Sequence, residues 1–199
     1  EIVRDRLVLE GKQIPLPPGE WRIVSRTTTA TPPLSSVALM RLRAETVDAA
    51  ILVQASPRRA KPGWGTAEAC RRTDLVLARI RHESDHDGSC AWVAHVTPSA
   101  RNIDPAWATS VRAAIDEGWR LPTAWIDVGF RVTDPRGAFQ VRYLFDPSSV
   151  PPPRPLSAAA IRSLTGWTET VWDGIEDGFR NNLDSAIPDW PPSETSQPR

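Results

Sequence analysis

Apolar and polar residues alternate with a period of two over most of the first 146 positions, and a helical period shows only in two later stretches. The clearest alternation runs from Ala124 to Phe145. Ile126, Val128, Phe130 and Val132 are separated by Asp127, Gly129 and Arg131, and the pattern resumes beyond Gly137 with Phe139, Val141, Tyr143 and Phe145. Between the two runs Asp134 can start a turn, Pro135 fixes the next φ and Gly137 can take positive φ. These residues predict a hairpin with one face in the core and one face wetted.

The same reading predicts a short hairpin turning near Gly11 and a strand from Glu20 after Pro17-Pro18-Gly19. It predicts strands over 36–43 and 46–54 around Ala44-Glu45, and two more over 73–81 and 89–96. Residues 55–72 form a long connection with a helical turn near Cys70.

Two segments follow the helical period. In the first, Asp104 suits the N-cap, Pro105 suits the first helical position and Gly118 suits the left-handed stop. Trp107, Val111, Ala114 and Ile115 supply its apolar face. The second follows the proline-rich stretch 147–156, which reads as a stiff linker. Ser157 can cap a helix running to about Leu183. Ile161, Leu164, Val171, Trp172, Ile175, Phe179 and Leu183 share one stripe, and Glu169, Asp173, Glu176, Asp177 and Arg180 lie opposite. A neighbouring face carries Trp167, Gly174 and Gly178. Each helical glycine costs roughly 1 kcal/mol against alanine, so this pair predicts close backbone approach by another element, either the chain's own sheet or a partner protein. These three are the candidate partner-binding residues. Residues 186–199 read as a polar tail.

The expected fold is therefore α+β. A curled antiparallel sheet or β-sandwich occupies residues 1–146 and carries a helix near 104–117. A long C-terminal amphipathic helix over 157–185 packs on that domain or on a partner.

Charge narrows the function classes. The 24 bases balance 24 acids and the arginines are scattered, which argues against a nucleic-acid partner. No apolar run approaches the roughly 18 residues of a membrane helix. The nine tryptophans are spread along the chain. Only Trp92 and Trp125 are well placed on predicted strands for an aromatic sugar platform, which would need several on one sheet face. A start at Glu1 and a pair of cysteines point to an exported chain, periplasmic or secreted from a bacterial envelope.

Candidate chemistry is sparse. Residues 82–90 read His-Glu-Ser-Asp-His-Asp-Gly-Ser-Cys. Histidines four apart share a face on a helix, as in zinc hydrolases. Here Ser, Asp and Gly sit between strand-like runs, so a solvated turn is the better reading, and His95 would lie well down the second strand as a third ligand. No nucleophile elbow or phosphate loop is present. No catalytic residue, metal or cofactor is expected. Asp127, Arg131 and Arg142 are expected to form a cross-strand ion pair on the wetted sheet face.

The cysteines set a geometric problem. A Cys70–Cys90 disulfide suits an exported chain. A tight hairpin over 73–97 would place Cys90 opposite about Ile80, with Cys70 ten positions further on, or about 30 Å away. A disulfide needs Cα atoms within about 7 Å. Export favours the bond, so the Cys70–Cys90 disulfide is expected, and residues 79–88 are then expected to form a return loop and not a tight turn.

These features favour a non-catalytic extracytoplasmic binding or accessory subunit acting through protein–protein contacts in a larger assembly. The runners-up are a metal-dependent hydrolase using His82 and His86, and a barrel with a small apolar ligand beneath the Ile126 and Phe139 faces.

Overall fold

The computed structural model describes residues 1–57, 65–85, 87–97, 105–135, 137–147, 156–184 and 186–189. The linker residues 148–155, Asp104, His86 and Trp190 lie outside them. The strands are β1 (Ile2–Val3), β2 (Arg6–Leu9), β3 (Lys12–Pro15), β4 (Trp21–Ala30), β5 (Pro33–Arg43), β6 (Thr46–Ala55), β7 (Leu77–Glu83), β8 (Gly88–Val96), β9 (Trp125–Asp134) and β10 (Gly137–Phe145). The helices are α1 (Pro105–Asp116) and α2 (Ala158–Phe179), with a 3-10 turn at Glu68–Arg71.

Eight strands form one antiparallel sheet in the order β1-β4-β5-β6-β10-β9-β8-β7, and β2 and β3 form a separate hairpin. The sheet is open, with β1 and β7 at opposite edges. The α+β class and the antiparallel sheet follow from the alternating pattern. The hairpin near Gly11 turns through Glu10 and Gly11 at φ 51° and 70°, the pair of positive angles that matches strand twist.

One face of the sheet holds the main core. Ile51, Val53, Val128, Phe130, Val141 and Tyr143 pack against Leu164, Val171, Trp172 and Ile175 of α2. Ile126 and Phe139, the faces named for the apolar-ligand alternative, are themselves buried in this core. Helix α2 starts where Ser157 accepts a hydrogen bond from the Ala160 N–H, as its sequence predicts. It ends earlier than the apolar stripe implies, because Asn181 takes φ 62° and turns the chain. Leu183 stays buried beyond that turn. Ile187, read as the start of a polar tail, is buried in the same core.

The opposite face carries α1, where Trp107 and Ala114 meet Met40, Ala50, Trp125 and Leu144. Ile115, expected on this apolar face, is instead 59% exposed. Gly118 ends the helix at φ 79°.

Cys70 and Cys90 are bonded, with Cα atoms 6.0 Å apart. Yet β7 and β8 also pair as a hairpin with Ile80 opposite Cys90. The expectation that bond and hairpin exclude each other is corrected. It carried the first strand straight back to Cys70, whereas β7 begins only at Leu77. The preceding residues leave the strand's line, and the 3-10 turn lies over the sheet face with Cys70 against Cys90, Trp92 and Ala94.

Candidate functional site

The middle of this second face, between α1 and the 3-10 turn, is a groove floored by five strands, β5, β6, β10, β9 and β8. Two rows of side chains cross it at ladder spacing. Trp92, Gly129, Arg142, Leu52 and Ala38 are successive cross-strand partners, as are Cys90, Arg131, Gln140, Gln54 and Ser36. A cleft of about 280 Å³ opens beside the 3-10 turn, lined by Arg72, Leu75, Trp92, Asp127, Gln140 and Arg142 among others. A smaller pocket beside Trp107 shares Gln140 and Arg142.

Gly129 sets the geometry. A Cβ there would lie 2.0 Å from two atoms of the Trp92 indole. The missing side chain lets the indole lie across the sheet and reach Asp127, where Nε1 donates to Oδ2 at 3.2 Å. Arg142 grips the same carboxylate diagonally, with Nη2 donating to Oδ2 at 2.8 Å and Nε to Oδ2 at 3.1 Å. The predicted Asp127–Arg142 pair thus forms, but not on a wetted face: the Asp127 side chain is 3% exposed and that of Arg142 26%. Trp92 roofs the pair, which lines the cleft beside the 3-10 turn.

Arg131, two residues further along β9, does not join that pair. Its Nε donates to the Gly65 carbonyl at 2.9 Å and its Nη1 to Gln140 Oε1 at 3.2 Å. Burial lowers its pKa from the ordinary guanidinium value. Arg72, on the rim, is held above its usual range by hydrogen bonding to Asp74.

The other predicted site residues lie elsewhere. Trp167 is buried against Tyr143 and Phe145 and donates to the Pro188 carbonyl at 3.1 Å. A Cβ on Gly178 would sit 2.0 Å from the Gln13 carbonyl oxygen, so the element that comes close is the chain's own β3. Gly174 faces Leu183 and Ile187. Trp167 and both glycines thus serve internal packing. His82 is exposed on β7 and pairs with Ser89, six positions along β8 from His95, or about 20 Å. Among the described residues no three His, Cys, Asp or Glu side chains gather to hold a metal ion.

Sequence reasoning missed Trp92 as the roof of the ion pair. The signal was available: a lone glycine inside a strict alternation marks close approach by another group. Searches among known proteins find no matching family model, no matching curated protein and no matching solved structure. The reading of the groove rests on its own chemistry.

Proposed function

We propose that this chain is a non-catalytic binding subunit working outside the cytoplasm, and that it holds a segment of a partner protein in the groove. The observation that carries the reading is the Trp92–Asp127–Arg142 arrangement. It spends a buried carboxylate on fixing an arginine and an indole at the floor of an open cleft. Both carboxylate oxygens accept hydrogen bonds from Arg142, and one also accepts from Trp92, so the group acts as a rigid support. The Cys70–Cys90 bond supports an oxidising compartment.

The lining suggests what the partner brings. Arg72 and Arg142 bring two guanidiniums to the lining, each engaged by a carboxylate, Asp74 for Arg72 and Asp127 for Arg142. Leu75, Ala94 and the Trp92 ring offer apolar surface. A partner segment carrying an apolar side chain next to a hydrogen-bond acceptor fits both features.

Mild purification of the untagged protein from its native envelope fraction, followed by mass analysis, tests the reading. A stoichiometric partner lost on combining Arg72→Glu with Leu75→Asp is the expected result. Recovery of the wild-type chain alone, or a partner retained by the double variant, would overturn it.

A further inference from the structure

We propose that the groove is complete only while Cys70 and Cys90 are bonded, so that the thiol–disulfide state of the chain governs its binding. This inference rests on the groove being the working surface. It concerns how one wall of the cleft is held.

That wall is a single short segment. Ala67, Ala69, Arg72 and Leu75 all line the cleft, Ala69 within the 3-10 turn and the other three on either side of it. The turn is not part of the sheet ladder. Its backbone hydrogen bonds run from the Cys70 N–H to Ala67 and from the Arg72 N–H to Ala69, both within the segment. Its apolar contacts form a small cluster with Cys90, Trp92, Ala94 and Val96, separate from the core beneath α2. Its polar ties join Thr66 and Arg71 to Glu83 at the exposed β7 edge, and the Gly65 carbonyl to Arg131. The Thr66 and Arg71 ties are exposed and contribute little, and the part-buried Arg131 bond holds the segment only at Gly65, its first residue. The disulfide is the one covalent tie, and Cys90 lies in β8, immediately beside Trp92 on the same sheet face.

Opening the bond is a two-electron exchange with a dithiol reductant. One thiolate of the reductant attacks a sulfur of the Cys70–Cys90 pair, and the other cysteine leaves as a thiolate. The second thiol of the reductant then displaces the remaining protein sulfur. The reductant ends as a disulfide, and its two protons end on Cys70 and Cys90. The wall is then held by the small cluster and these few polar ties, whereas the sheet and α2 keep their own core. In a reducing compartment the chain would carry a folded sheet without a finished groove. Export and oxidation would complete it.

Hydrogen–deuterium exchange of the full chain tests this. The oxidised protein is compared with the same protein reduced by dithiothreitol, and with the Cys70→Ser, Cys90→Ser double variant. Exchange in 66–76 is expected to rise about tenfold or more on reduction, while 158–179 and 125–145 keep their protection. Unchanged protection of 66–76 would overturn the proposal, as would loss of protection across α2, which would make the bond a staple of the whole fold. The measurement needs no ligand, so failure of the binding reading in co-purification leaves its result intact.

Discussion

The indole of Trp92 occupies the space that a side chain on Gly129 would fill, with ring atoms 2.0 Å from the position of the absent Cβ. The two residues are direct cross-strand partners on β8 and β9. A glycine at the centre of an eight-stranded sheet weakens the strand locally. Here it lets an aromatic ring roof a buried ion pair.

Gly129→Ala is therefore expected to displace the ring and break its hydrogen bond to Asp127. Overpacking of this kind costs about 1–3 kcal/mol. The cost should shrink in a Trp92→Leu background, because the clash partner is gone. Denaturant unfolding of both single variants and the double variant reads the coupling. Additive effects would show that ring and glycine are independent.

Asp127→Ala removes the carboxylate and leaves the Arg142 guanidinium with a lost anion in a largely covered site. Breaking such a pair from one side costs about 3 kcal/mol, with some relief because Arg142 keeps a quarter of its exposure. Asp127→Asn retains an acceptor for Trp92 and should lose less. Equal stability of wild type and Asp127→Ala in urea would contradict the assignment.

Three glycines of α2 should respond with different signs. Gly178 has the Gln13 carbonyl at 2.0 Å, and backbone cannot swing aside, so Gly178→Ala should destabilise by about 3 kcal/mol. Gly174 meets its nearest neighbour only at 3.6 Å, and Gly166 meets nothing within 4 Å. Alanine at either position should stabilise by up to about 1 kcal/mol through helix propensity. Thermal midpoints of the three variants give the comparison.

Tyr143 is the single tyrosine of the chain. It is fully buried and donates to the Pro15 carbonyl at 2.8 Å. Burial pushes its pKa well above the ordinary value of 10.0. The folded pKa is raised, so this group's contribution to stability is full below about pH 10 and is lost as pH climbs toward the folded value. Tyrosinate absorbance should thus be absent from the native protein above pH 10 and appear together with unfolding. Titration at the free-tyrosine pKa without loss of the near-ultraviolet dichroism would refute it.

Much of the architecture was legible in local pattern. Alternation around Val128 and Val141 defined the central hairpin, Glu10-Gly11 its smaller counterpart and Ser157 the start of α2, because each is fixed by neighbours a few positions away. Local pattern also marked the glycine indentation of α2 and the Asp127–Arg142 pair. Tertiary structure decided what met them: β3 closes on Gly178, and Trp92 crosses from a neighbouring strand to cover Asp127. The cysteine bond shows the division most plainly. Strand geometry correctly placed Ile80 opposite Cys90, yet it could not foresee that the chain before Leu77 folds back over the sheet face. Periodicity reports which way a side chain points from its own element. It carries no information on where a connecting segment returns, since that depends on the surface the rest of the chain offers it.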